Sequence, residues 1–166
     1  MPPDLVVGPP DGTPGFLPDE SYVIINLTTP IVVNNLQDGN YDFAVYEFLV
    51  APSNDRIQLD NIIISISTDN NIYFEVFNWW DNVPNSNTSI SQHPIFPSLE
   101  IDNYLIYIAD LYGMTIRSGI LIDVEDAPSN PPAGDYYFIA IEVPTTGGDG
   151  SGIDAIEILE VPIPFP

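Results

Sequence analysis

Apolar and polar residues alternate along much of this chain with a period of two, which is typical of half-buried β-strands. In residues 62–67, IIISIS, the even-numbered isoleucines share one face and the two serines take the other. Runs of this kind, rich in β-branched and aromatic residues, predict about eight strands. They are residues 22–27, 41–50, 57–67, 72–79, 99–109, 114–124, 136–143 and 153–161.

Turn-forming segments separate these runs, and no stretch combines a helical period with capping residues. Residues 68–71, for example, lie between two predicted strands and are typical of a hairpin connection. So many strands without intervening helices predict an all-β fold, an antiparallel β-sandwich of jelly-roll-like type. We place this sandwich domain at residues 21–161.

Three segments fall outside the strand pattern. The leader, residues 1–20, has six prolines within its first eighteen residues, so we expect an extended arm. Residues 81–98 form a long polar loop interrupted by prolines, and loops of that length in compact domains are commonly functional or interfacial. The sequence closes with a second proline-rich tail at residues 162–166.

The charge of the chain narrows the choice of partners. Its 166 residues include 24 acidic and two basic ones, which gives a formal net charge of −22. Such a surface repels phosphate backbones and anionic lipids, so neither nucleic acid nor a membrane is a predicted partner. The acidity favours divalent cations or a basic protein partner, or it simply keeps a β-protein soluble.

Groups suited to catalysis are scarce. The chain has no cysteine and a single histidine, His93, which lies in the long loop without a recognisable nucleophile motif. Asp123, Glu125 and Asp126 follow a predicted strand, where they form either a glycosidase-like carboxylate pair or, more simply, a solvated strand end. We therefore predict no enzyme, no catalytic residue and no cofactor, with Ca²⁺ as the one candidate ion.

One candidate calcium segment is residues 38–42, DGNYD, which places carboxylate and amide oxygens at alternate positions. Calcium loops of the EF-hand begin in this way, but Glu47 comes too early to supply the bidentate ligand.

A second candidate is residues 147–154, which resemble a single calcium-binding nonapeptide of β-roll proteins. Gly152 replaces the expected aspartate and there is one copy only, so a flexible hairpin loop is the competing interpretation. The candidate calcium ligands are Asp38, Asn40, Asp42, Asp149 and Asp154.

The pair Trp79-Trp80 is the most prominent aromatic feature. In a strand the two rings point to opposite faces, so we expect one in the core and the other exposed or covered by the long loop. An exposed tryptophan either stacks on a sugar ring or anchors a contact between subunits.

The leader carries two apolar clusters that suit docking. A proline-stiffened arm loses little entropy when it docks, so we expect it to lie on a neighbour, either another copy of the chain or a larger lattice. The alternative is a leader wrapped over its own sandwich. The expected partner-binding residues are Leu5, Val6, Val7, Phe16, Leu17 and Trp80.

An acidic, cysteine-free β-sandwich with an extended arm resembles the decoration (cement) proteins of tailed-phage capsids. The resemblance implies a non-enzymatic structural protein that self-associates, with a trimer favoured, and that stabilises a lattice such as that of a major capsid protein. It implies a virion protein made in the host cytoplasm, in keeping with the absence of a secretory signal after Met1.

The main alternative is a secreted or cell-surface module, either a carbohydrate binder or a calcium-dependent adhesin or filament subunit. Residues 134–143, GDYYFIAIEV, resemble the late strand of secreted prokaryotic jelly-roll accessory domains. A carboxylate-based hydrolase is a third alternative.

Overall fold

A computed structural model describes residues 6–34, 38–47, 55–92, 100–107, 119–145 and 150–164. These ranges contain eleven strands and one short 3-10 helix at Ser89–Gln92, so the predicted all-β fold is confirmed. The strands are β1 (Val6–Val7), β2 (Gly15–Leu17), β3 (Ser21–Val33), β4 (Asn40–Glu47), β5 (Arg56–Leu59), β6 (Ile63–Ser67), β7 (Phe74–Asn78), β8 (Tyr104–Tyr107), β9 (Gly119–Ile122), β10 (Gly134–Val143) and β11 (Ser151–Pro164).

The strands form two main sheets and a small one. The first sheet has the order β1-β11-β4-β9, with β2 also paired to β11, and the second has the order β3-β10-β6-β7. Strands β5 and β8 make a separate antiparallel pair. In β3, every second side chain from Val23 to Leu27 is buried, and the residues between them are exposed. The period-two pattern of the sequence therefore places one apolar face of each sheet in the shared core.

The predicted strand at residues 57–67 is interrupted in the structure. It divides into β5 and β6 because Asp60 and Asn61 take their hydrogen bonds outside the ladder. Asp60 Oδ2 accepts from Gly152 N at 3.1 Å, and Asn61 N donates to Asp102 Oδ1 at 3.1 Å. Both residues are buried, and the bond from Gly152 N offsets part of the loss of hydration of the Asp60 carboxylate.

The predicted hairpin at residues 68–71 is confirmed, since it joins the antiparallel strands β6 and β7. Asn70 has a φ of 63°, a left-handed conformation that asparagine tolerates well. Its N–H donates to Ser67 Oγ at 3.0 Å, and Asp69 Oδ1 accepts from Asn71 N at 3.0 Å. Local side-chain hydrogen bonds thus set this turn.

The described part of the leader lies on its own sheet. Strand β1 pairs in parallel with β11 at Ala155 and Ile156, and β2 pairs antiparallel with β11 over Ser151–Ile153. Both segments use the edge of β11 opposite β4, so they complete the first sheet. Residues 6–17 therefore follow the alternative interpretation, a leader wrapped over its own sandwich.

Leu17 corrects the prediction of a partner contact. Its side chain is only 3% exposed and belongs to the main hydrophobic core. The leader is also held by Asp154, whose carboxylate accepts from Asp11 N at 3.2 Å and from Gly12 N at 2.8 Å. Leu17 and the two hydrogen bonds to Asp154 together make residues 6–17 an integral part of this domain.

The tail also continues the sheet. Strand β11 extends to Pro164, and its last pairs with β4 are Ile163 with Tyr41 and Pro164 with Asn40. A change of register between Ile158 and Ile163 separates this end from the rest of the strand. The backbone of the tail is thus paired up to Pro164.

We expect Gly150→Ala to lower the free energy of unfolding by about 1–3 kcal/mol, because it strains the backbone and crowds β2. Gly150 has a φ of +86°, and an added Cβ would lie 2.3 Å from the carbonyl oxygen of Leu17. Gly12→Ala is the matched control, since Gly12 has a φ of +85° with open space around its Cβ position. Urea unfolding of the two variants separates backbone strain from the clash; equal losses would contradict close packing of β2 on Gly150.

In the described ranges, no helix has the length and apolar character that a membrane crossing requires.

Candidate cation site and adjoining pocket

The strand register brings two aspartates to one point of the first sheet. Strands β4 and β9 are antiparallel, with Phe43 opposite Ile122. Continuing this register by one residue places Asp42 opposite Asp123, at the end of β9. Glu125 follows in the next turn, so Asp42 joins two acidic side chains about 80 residues further along the chain at one end of β4 and β9.

The three carboxylates lie close enough to share one ion. One oxygen from each of Asp42, Asp123 and Glu125 lies within 4.8 Å of an oxygen of the other two. Oxygen atoms bound to the same Ca²⁺ lie at about 2.3–2.6 Å from it, so they are separated by at most about 5 Å. The spacing of the three groups therefore meets the geometric requirement for a shared divalent cation.

Backbone hydrogen bonds fix each of the three carboxylates in place. Val124 N donates to Asp42 Oδ2 at 2.7 Å, and Asp126 N donates to Asp123 Oδ1 at 3.1 Å. Glu125 Oε1 accepts from the backbone N–H at position 34, at 2.8 Å. One oxygen of each group is thus anchored by the chain.

Asn87 supports this site from behind. Its Nδ2 donates to the carbonyl oxygen of Asp123 at 2.9 Å and to that of Val76 at 2.9 Å. Asp123 N in turn donates to the Asn87 carbonyl at 2.9 Å. Asn87 is completely buried, and the sequence alone does not predict its contact with Asp123. No local pattern in the sequence indicates a contact that spans 36 residues.

Two buried oxygens of the cluster lack a partner. Asp123 is only 1% exposed, which corrects the expectation of a solvated strand end. Its Oδ2, and likewise Glu125 Oε2, has no hydrogen-bond partner among the residues that the structure describes. Buried carboxylate oxygens without a donor are costly, since neither water nor a hydrogen bond offsets their charge. A proton or a cation at this point would remove that cost.

The proton affinity of the cluster is raised. Burial raises the pKa of Asp42 to about 8; the Val124 hydrogen bond opposes this rise, and the charges of Glu125 and Asp123 add to it. Burial likewise raises the pKa of Asp123 to about 6, against the Asp126 hydrogen bond and with the neighbouring acidic charges. Groups whose ionised forms are disfavoured in this way gain most when a cation binds.

A cavity of about 300 Å³ adjoins the cluster and includes Asp42 in its wall. Its other walls come from the end of β3, the start of β4 and the β11 segment around Ile158. The cavity thus lies where the two main sheets meet at one end of the sandwich. Polar residues in its wall include Thr29, Asn34, Asp38 and Asn40.

The structure separates the predicted calcium ligands. Asp38 and Asn40 line the cavity, and Asp42 belongs to both the cavity and the carboxylate cluster. Asp154 instead accepts two hydrogen bonds from the leader. Asp149 lies outside the described residues.

The predicted partner residues are dispersed. Val7 and Phe16 are exposed on the leader, and Trp80 is 43% exposed. Leu5 lies outside the described residues, and the structure describes the backbone of Val6 in β1 but not its side chain. All five residues remain predictions as partner contacts.

The prediction that one of the two tryptophans is buried and the other is exposed is confirmed. Trp79 is completely buried, with its ring 6.1 Å from that of Tyr104, whereas Trp80 is partly exposed. Glu100 stabilises the loop that follows Trp80, since its Oε2 accepts a hydrogen bond from Asn82 N at 2.8 Å. Burial raises the pKa of Glu100 to about 7, against that hydrogen bond. His93, the single histidine of the chain, lies outside the described residues.

The described residues define an acidic β-sandwich with a carboxylate cluster and a cavity at one end. Comparisons of this chain with protein-family models, with curated proteins and with solved structures each found no match. Function therefore has to be inferred from the chemistry of the site.

Proposed function

We propose that this chain is a non-enzymatic β-sandwich module that binds Ca²⁺ through Asp42, Asp123 and Glu125. The observation that carries the proposal is the buried Oδ2 of Asp123, which lacks a hydrogen-bond donor and lies in a group of three carboxylates within 4.8 Å. An acidic cluster alone is common on so acidic a chain. The unpartnered Oδ2 of Asp123 is a second, independent observation, because a buried carboxylate oxygen without a donor is costly.

No described basic side chain is placed to neutralise the cluster. Arg56 is on β5, where it lies 3.8 Å from Asp55 and over the ring of Tyr107 at 4.3 Å. Arg117, the second basic residue, lies outside the described residues. Besides a proton on Asp42, a bound cation is therefore the remaining source of compensating charge for the described part of the cluster.

The ligand atoms favour calcium among the divalent ions. All three are carboxylate oxygens, which are hard ligands, and His and Cys are absent from the cluster. Calcium takes about 6–8 oxygens in a flexible geometry, so backbone carbonyls and water can complete the set. Extracellular calcium modules bind with a Kd of about 10⁻⁴–10⁻³ M, and we expect this range. Calcium binding fits the alternative of a secreted or cell-surface module.

The capsid decoration function stays a prediction, but it has lost its main support. That support was a leader free to dock on a neighbour, whereas Leu17 and both leader strands are part of this domain. Self-association and lattice binding would then depend on exposed residues such as Phe16 and Trp80. We therefore rank the calcium module first.

We expect calcium to stabilise the folded protein by about 2.7 kcal/mol at a concentration one hundred times its Kd. For a domain of this size the melting temperature should rise by about 5–10 °C. Asp123→Asn and Asp42→Asn should each remove the rise, since they delete a ligand charge at nearly constant volume. Thermal unfolding after chelation and re-addition of calcium, together with isothermal titration calorimetry, measures both effects.

Asp135→Asn is the matched control, because Asp135 is an exposed aspartate on β10. It should respond to calcium like the parent protein. If all three variants show the same rise, the ion acts by screening the charge of −22, and the proposed site is wrong.

A further inference from the structure

The cavity beside the cluster has a wall of distinctive chemistry. Asp38 and Asp42 supply carboxylate oxygens, while Asn34, Asn40 and Thr29 supply amide and hydroxyl groups. None of the described wall residues is basic. A ligand here must therefore offer hydrogen-bond donors, and it cannot carry negative charge unless a cation intervenes.

The remaining wall is apolar. Pro30 and Ile158 belong to it, and they come from opposite sheets of the sandwich. A pocket with an apolar wall and a few convergent polar groups is the usual form of a small-molecule site. Its volume of about 300 Å³ is at the lower end for such sites, so the ligand is of monosaccharide size.

A cation bound by the cluster would keep coordination positions for this ligand. Three carboxylates supply three to six oxygens, and Ca²⁺ takes about 6–8. Asp42 belongs both to the cluster and to the cavity wall, so the ion would lie at the boundary between them. Positions left open on that side would be filled by water or by ligand oxygens.

We propose that the cavity binds a neutral saccharide whose adjacent hydroxyl oxygens complete the coordination of Ca²⁺ at the Asp42–Asp123–Glu125 cluster. Its other hydroxyls donate to Asp38 and to the amide oxygens of the wall, and its C–H face packs on Pro30 and Ile158. This inference rests on the proposed calcium binding. Hydroxyl-rich neutral ligands suit this cavity because they combine hydrogen-bond donors, ligand oxygens for the ion and apolar C–H groups without adding negative charge.

Calorimetry on the full chain with methyl α-mannoside, methyl α-fucoside and methyl β-galactoside tests the inference. With calcium present, at least one probe should bind with saturation, and chelation should lower its affinity at least about tenfold. Thr29→Val should lower the sugar affinity about tenfold but leave calcium binding unchanged, since Thr29 supplies a hydroxyl to the cavity wall and is not part of the carboxylate cluster.

Thr28→Val is the matched control, because Thr28 is an exposed threonine next to Thr29 on β3 and lies outside the cavity wall. Calcium binding without any sugar binding would overturn this inference and leave the proposed function standing. Loss of both would refute both. Sugar binding that survives chelation would overturn the coordination step, and release of free sugar would contradict a non-enzymatic role.

Discussion

Replacing Leu17 with alanine is expected to lower the free energy of unfolding by about 2–5 kcal/mol, the usual loss for a buried leucine. Leu17 is 3% exposed and packs in the main core, although it lies in the proline-rich leader. The truncation removes buried apolar surface and leaves a cavity that the two sheets cannot fully close. Urea unfolding monitored by tryptophan fluorescence measures the loss.

Phe16→Ala is the control for this prediction. Phe16 is the neighbouring residue on β2 but is 58% exposed, so its truncation should change stability by no more than about 0.5 kcal/mol. A Leu17→Ala variant as stable as the parent protein would support the interpretation of the leader as an arm. If Leu17→Ala unfolds like the parent protein but dissociates an oligomer, then Leu17 contacts a neighbouring chain.

Removal of residues 1–20 also tests whether the leader is an independent arm or part of the sandwich. An independent arm would leave a folded sandwich behind. The strand pairing predicts instead a loss at least as large as that of Leu17→Ala, because the edge of β11 at Ser151–Ile153 loses its partner β2. An unchanged free energy of unfolding would contradict the observed pairing.

Local pattern was sufficient for most of the strands and for the core. The alternation in residues 62–67 predicts that Ile64 and Ile66 are buried, and both are completely buried. The order Trp79-Trp80 likewise predicts one buried and one exposed ring. These predictions succeed because the period of a strand is a property of neighbouring residues alone.

Long-range pairing is what the pattern could not supply. Nothing near Asp42 indicates that Asp123 will lie opposite it, since that depends on the register between β4 and β9. For the same reason Asp123 was interpreted as a solvated strand end. The sequence did mark the segment around Asp42 as a candidate calcium ligand set, which is one half of the site. The other half required the fold.

The prediction that the leader docks on a neighbour is not supported by its described residues, for a related reason. Its prolines correctly exclude helix and central strand, and its described strands β1 and β2 are short edge segments. Proline content does not say whether the surface beneath an extended segment belongs to the same chain. The free edge of β11 decides that question, and it exists only after folding.

Calcium-free protein is expected to lose stability as pH rises from about 4 to about 8. Asp42 has a pKa of about 8 in the folded protein against 3.8 as its ordinary value, so the folded state holds a proton that the unfolded chain has released. Stability from this group is fully present below the ordinary pKa and falls as pH rises through the folded one. The total loss is on the order of several kcal/mol, at about 1.4 kcal/mol per pH unit.

Asp42→Asn should make this dependence shallower, because asparagine keeps the hydrogen bond from Val124 N but does not titrate. Asp123 and Glu100, whose pKa values burial also raises, should keep the remaining part of it. Asp135→Asn should leave it unchanged. Saturating calcium should oppose the loss in the parent protein, since the ion and the proton compete for the same oxygens and binding releases protons. Urea unfolding at several pH values, with chelator or with calcium, gives all of these comparisons. Stability that rises between pH 5 and pH 8 without calcium would show that the Asp42 carboxylate is already compensated, and the cation site would lose its physical basis.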